Sequence, residues 1–259
     1  MSWLRKPSRR VMLIVGVAVL GGAMSALGLA SAATTVDIDQ STGIGPSKLP
    51  KNSYKAASLN VVVNSTTDNA NGVPDPVTNT RLQFDDDGKI TTKGLKVCAA
   101  NLANTTTQAA MAACGPSKVG GGEANVVIPG AGGPSQFTAT ITAFNGPKQG
   151  GKPTIILHGR VDDLGVTQIL KGVIDPKGGT GDYGTTLTVP VPPLPAGAQL
   201  QRFETTVKKS WTSRGKKYNY ITARCHDKNK TLNMKGEFTV GGSGPASQSD
   251  TTTQKCKVK

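Results

Sequence analysis

The 259-residue chain carries 30 lysines and arginines against 16 acids, a net charge of +14, and only 4% of its residues are aromatic. A core built on aromatic rings is excluded, so Val, Ile, Leu and Ala must supply it, each burying less area than a ring. Four cysteines and two histidines, none in Cys-x-x-Cys spacing, also exclude an ordinary zinc site.

Residues 1–32 follow the three-part plan of a secretory signal peptide. Arg5, Lys6, Arg9 and Arg10 form the basic start, 11–30 is apolar and uncharged, and Ala30-Ser31-Ala32 is a small-x-small cleavage site. About 20 apolar residues can also span a bilayer, but Gly16, Gly21, Gly22, Ser25 and Gly28 thin this stretch. Cleavage near Ala32 and an extracytoplasmic or secreted mature chain are the expectation. Arg9-Arg10 resembles a twin-arginine export signal, which two ordinary basic residues also explain.

Residues 33–56 predict an extended leader, broken at Gly45-Pro46 and Pro50. A β domain over 57–240 follows. Ala57, Leu59, Val61 and Val63 alternate with their neighbours as one strand face. Leu82 and Phe84 lead into Asp85-Asp86-Asp87-Gly88, with Ile90 beyond, which predicts a hairpin. The three carboxylates lack the alternate spacing and distal Glu of a calcium loop, so a turn is expected and no metal. Residues 104–113 predict the one convincing helix, capped by Asn104 or Thr105 and stopped by Gly115-Pro116.

Further strands are predicted at 122–128, 136–145, 153–161, 167–175, 183–191, 201–211, 217–225 and 232–240. Phe137, Ala139, Ile141 and Ala143 alternate with Thr138, Thr140 and Thr142. Ile155, Leu157 and Val161 share one face of the next strand, with His158 and Arg160 on the other. Pro190, Pro192, Pro193 and Pro195 predict a stiff extended connection. Residues 241–255 read as a Gly/Ser/Thr linker, so 241–259 is expected to be a flexible tail tied back by Cys256. No repeated helix separates the strands, which excludes parallel βαβ units. The fold class is mainly β: an antiparallel β-sandwich or a strongly curved sheet of about ten strands, with one short helical insert.

Cys98, Cys114, Cys225 and Cys256 read as a disulfide framework in an exported chain. Three pairings are possible, and joining neighbours in sequence gives Cys98–Cys114 and Cys225–Cys256. Gly179-Thr180-Gly181-Asp182-Tyr183-Gly184 fits the bare G-x-G-x-x-G pattern, but strand residues follow it where a dinucleotide site needs a helix. No cofactor is expected. His158, near Asp162 and Asp163, is the best candidate base, yet no G-x-S-x-G elbow supplies a nucleophile, and no catalytic residue is assigned.

Charge is uneven. Residues 33–201 hold 13 lysines and arginines against 12 acids, and 202–259 hold 13 against 4. Lys208, Lys209, Arg214, Lys216 and Lys217 cluster around a turn, interleaved with Trp211, Tyr218 and Tyr220 and followed by Arg224. Cations among flat rings suit a polyanion or sugar surface. A charged hairpin tip with its rings packed inward explains the same residues.

The run Cys98, Leu102, Thr105-Thr106, Ala112-Ala113-Cys114-Gly115, Ser117-Lys118-Val119-Gly120, Gly122 and Ala124 has a second half in Tyr220-Ile221-Thr222-Ala223-Arg224-Cys225 and Gly236-Glu237-Phe238. Together they resemble a group of exported actinobacterial β-rich disulfide proteins of unknown function. The resemblance covers most of 57–257 and implies an envelope or secreted location. It brings no activity and no functional residues.

The expected function is a non-catalytic binding or structural role in the cell envelope or outside the cell, contacting anionic envelope polymer or lipid headgroups through the basic C-terminal face. No dedicated nucleic-acid motif is present. The alternative is a carrier of an apolar molecule on the concave face of a curved sheet, which requires an apolar pocket. A secreted hydrolase ranks below both.

Overall fold

The computed structural model describes residues 36–69, 71–242 and 246–259, and the signal segment read over 1–32 lies outside them. The strands, in chain order, are β1 (Val36–Gly45), β2 (Lys48–Leu49), β3 (Lys55–Thr67), β4 (Val77–Asp85), β5 (Gly88–Ile90), β6 (Lys118–Ile128), β7 (Ser135–Gln149), β8 (Lys152–Val161), β9 (Val166–Asp175), β10 (Tyr183–Pro190), β11 (Gln199–Val207), β12 (Ser210–Ser213), β13 (Lys216–Asn219), β14 (Ile221–Ala223), β15 (Thr231–Val240), β16 (Ser247–Lys255) and β17 (Lys257–Val258). One helix, α1 (Thr107–Cys114), lies between β5 and β6.

Thirteen strands join in one antiparallel sheet, ordered β16-β15-β4-β10-β9-β8-β7-β6-β11-β3-β14-β5, with β1 also on β3. Its centre is a meander, β6 to β10, built from short hairpins. Gly150-Gly151 makes the two-residue turn from β7 to β8 with φ of +55° and +78°, the left-handed pair that a type I′ hairpin needs. The chain then leaves β10 and crosses four strands to pair β11 with β6. Residues 191–198 make that crossing.

The sheet curls until β1 and β16 meet. No backbone ladder joins them. Side chains of β16 instead bond to the backbone of β1. The Gln40 and Ile44 amides donate to Asp250 Oδ2 (2.8 Å) and Gln254 Oε1 (2.7 Å), while Thr252 Oγ1 and Gln254 Nε2 donate to the Gln40 and Ile44 carbonyls (2.8 Å each). Val36–Gly45 of the expected leader and Ser247–Lys255 of the expected linker are therefore sheet strands. β16 has no apolar alternation because its inner residues meet polar backbone rather than core.

Two layers bury apolar residues. Inside the curl lie Val61, Leu82, Phe84, Ile174, Leu232, Met234 and Phe238. Outside it, residues 95–117 form a disulfide-bonded cover over β7–β9, where Leu102, Ala110 and the Cys98–Cys114 bridge pack on Phe144 and Ile156. Both expected bridges form, Cys98–Cys114 and Cys225–Cys256, with Cα separations of 5.1 and 6.0 Å. Two disulfides fit an oxidising extracytoplasmic compartment.

Several local expectations are corrected. Thr106 caps α1, accepting from the Ala109 amide at 3.1 Å; Thr105 turns inward and donates to the Leu102 carbonyl. The turn after Asp85 forms, but β5 pairs with β14 rather than with β4. The runs at 201–211 and 217–225 each divide in two, giving β11 with β12 and β13 with β14. His158 is fully buried rather than on a solvated face, because the cover lies over it and sets Thr105 Oγ1 and the Thr105 carbonyl 3.1 Å from its Nε2.

Candidate functional site

The central strands present small side chains on the concave face. Ala124 of β6 lies opposite Ala139 of β7, and Ile141 lies opposite Gly159 of β8. Small residues in register leave space that larger ones would fill, and a Cβ on Gly159 would come within 3.2 Å of Ile141 Cδ1. The space is a cavity of about 290 Å³, close to the lower end of ordinary ligand pockets, roughly 300 Å³. Val126, Leu157, Val161 and Leu170 supply most of the remaining wall, and Phe203 closes it towards β11.

The crossing from β10 to β11 roofs the cavity with Val191-Pro192-Pro193-Leu194-Pro195-Ala196-Gly197-Ala198. A strand here would leave donors without a ladder, and three prolines remove them. The strap is tied to the sheet at its start, where the Val191 amide donates to the Thr78 carbonyl at 2.9 Å, and it turns on itself at its end, where the Ala198 amide donates to the Pro195 carbonyl at 3.1 Å. Ala196 and Gly197 take positive φ, 55° and 68°, to turn the chain down to β11. Leu164, 41% exposed, sits at the rim and continues the apolar lining into solvent.

Among the described residues, no acidic or basic side chain and no histidine lines this cavity; its polar side chains are Thr78, Gln168 and Gln199. It offers desolvation and shape, not proton transfer. The sequence signal was available: inward positions held by Ala124, Ala139 and Gly159 are too small to fill a wide curl, and the connection carries Val191, Leu194 and Ala198, too apolar for a solvated linker.

The basic stretch is only partly one surface. β12 and β13 form a separate hairpin on which Lys208, Arg214, Lys216 and Lys217 are exposed and Lys209 is half-buried. Trp211 and Tyr218, opposite each other, stack with centroids 5.8 Å apart and planes at 19°. Trp211 Nε1 donates to the Lys93 carbonyl at 3.1 Å, which pins the hairpin to the chain before the cover. Tyr220 belongs to the core, 1% exposed, and burial pushes its phenol above the ordinary range. Arg224 is drawn away from the hairpin: its Nε donates to Asp87 Oδ1 at 2.6 Å, and its guanidinium lies over the Tyr54 ring.

Two of the three adjacent acids, Asp85 and Asp87, are occupied by the fold, and Asp86 is exposed. Asp87 Oδ2 accepts the amides of His226 (2.6 Å) and Asp227 (3.2 Å), so this buried carboxylate fixes the loop that carries Cys225. Asp85 accepts the Asp87 and Asn233 amides, and burial pushes its carboxyl up to about 6. These oxygens serve backbone donors and Arg224, which is the work of a turn.

Among known protein families, curated proteins and solved structures, none matches this chain. Among the described residues, no helix is long and apolar enough to cross a membrane.

Proposed function

We propose that the protein is an extracytoplasmic carrier that holds an apolar small molecule between the concave face of β6–β9 and the proline-rich strap. One observation carries this reading: a cavity of about 290 Å³ without a charged side chain, opening beside the exposed Leu164. An unoccupied apolar cavity of this size costs stability that larger side chains would recover. A ligand offsets that cost by the same burial. The two disulfides and the signal pattern of 1–32 support a place outside the cytoplasm.

The experiment is a titration with the fluorescent apolar probe N-phenyl-1-naphthylamine. The protein should enhance its emission with saturation at one site. Ala139→Leu, which places three carbons into the space, should weaken binding at least tenfold and leave stability equal or higher by about 0.5–2 kcal/mol. Unsaturable binding, or equal binding by the variant, would refute the carrier reading.

A second reading has its own observation. Lys208, Arg214, Lys216 and Lys217 stand exposed on the β12–β13 hairpin and make no ion pair among the described residues. Such a tip can touch anionic envelope polymer or lipid headgroups while the cavity holds its cargo. Binding to vesicles containing phosphatidylglycerol should weaken with salt and fall when these four residues become Ser. The same change at Lys148, Lys171, Lys177 and Lys255, exposed elsewhere, should do much less. Equal losses would mean that only net charge acts.

A further inference from the structure

We infer that the cargo is uncharged and carries one hydrogen-bonding group, a hydroxyl, ketone or ester, that seats against the side-chain amide of Gln168; this rests on the carrier reading. β9 turns Val166, Gln168 and Leu170 inward, while Thr167 and Ile169 face the outer cover, where Thr167 Oγ1 donates to the Thr105 carbonyl. Gln168 thus sets an amide in the middle of an apolar wall. Its neighbour across the ladder is Gly159, which has no side chain to shield it.

The three polar side chains of the lining differ in one respect. Thr78 Oγ1 donates to the Thr239 carbonyl at 3.2 Å, and Gln199 Nε2 donates to the Gly197 carbonyl at 3.2 Å. The Gln168 amide has no partner among the described residues. A half-buried amide that loses its water to a purely apolar guest is left unpaired, and the guest is penalised accordingly. A guest with one oxygen at the right depth restores the bond, since the amide both donates and accepts. Ionised carboxylates are disfavoured, because among the described residues no Lys, Arg or His lines the cavity to pair with them. The Gln168 amide therefore selects neutral oxygenated apolar molecules over hydrocarbons of the same length and over fatty-acid anions.

The test is displacement of N-phenyl-1-naphthylamine by nonane, 1-nonanol, 2-nonanone and nonanoic acid. The informative quantity is the ratio of nonane to nonanol dissociation constants, compared between the parent protein and Gln168→Leu, because the comparison cancels the different water solubilities. The ratio should fall at least tenfold in the variant, with each dissociation constant taken from displacement against that protein's own probe affinity. Gln168→Met, close in length and flexible, should behave like Gln168→Leu and serves if the latter does not fold. Nonanoic acid should displace the probe better as pH falls from 8 to 4, whereas nonanol should not change. An unchanged ratio with the probe still bound would overturn the role of Gln168 and leave the carrier reading standing. Failure of the parent protein to bind the probe would overturn both.

Discussion

Asp85 shows how a single buried group writes itself into the pH dependence of stability. Its carboxyl titrates near 6 in the fold because burial penalises the charge more than the Asp87 and Asn233 amides compensate. The unfolded chain, with an ordinary aspartate near 4, binds fewer protons than the native protein between those two values. Stability therefore falls as pH rises from about 4 to about 6, and it is flat above. Glu237 has the opposite sign. Lys235 and Arg81 hold its carboxyl below the ordinary range, so its contribution is lost only in more acidic solution. Asp85→Asn does not titrate. The stability of the parent protein minus that of the variant, measured from urea midpoints, should decline across pH 4–6 and then level. A constant difference would show that the Asp85 carboxyl binds protons equally in the folded and the unfolded chain. That Asp85 is buried could not be read from Asp85-Asp86-Asp87-Gly88, which scans as a solvated turn. The burial comes from the β15 strand laid beside it, 148 residues away in sequence.

Elements whose partners lie close by in the chain were legible, and those whose partners are remote were not. The β6–β10 meander was visible because each strand alternates apolar and polar residues and each turn has its glycines. β1 and β16 escaped notice because they lack that alternation, being held by bonds between side chains and backbone. The small inward residues that open the cavity look like ordinary strand alanines until the curl places them opposite one another. The cover over β7–β9 lies between these cases. Its helix and its bridge were foreseen from local spacing, but not that it buries His158. At eight residues, α1 is too short to stand alone in water, so its stability comes from the bridge and from Phe144 and Ile156 beneath. Replacing Cys98 and Cys114 together by Ser should destabilise the protein by about 2–4 kcal/mol in urea unfolding. It should also raise hydrogen exchange in 98–117 before exchange in β7. Uniform acceleration across the sheet would mean that the cover and the sheet unfold as one unit.

For the molecule as a whole, the placing of the two ends of the sheet matters most. Residues 33–259 form one compact unit, and its first and last long strands face each other across a row of side-chain bonds. An exposed strand edge offers unpaired amides and carbonyls to any other chain that presents the same. Here the side chains of Asp250, Thr252 and Gln254 occupy the free amides and carbonyls of Gln40 and Ile44, so the middle of the β1 edge is covered. The β1 edge is covered by side chains, without the continuous ladder that would lock the curl. Gln254→Ala removes two of these bonds at once. It should cost about 1–3 kcal/mol in unfolding free energy, since each of the two part-buried bonds contributes about 0.5–1.5 kcal/mol. Its larger effect should appear on concentration, as dimers and higher species by light scattering and as faster exchange at the Ile44 amide. A variant that stays monomeric at all concentrations would show that the curl alone keeps the edges apart. The polar strand β16, which reads as a spare tail, thus shields the β1 edge from pairing with copies of the same chain.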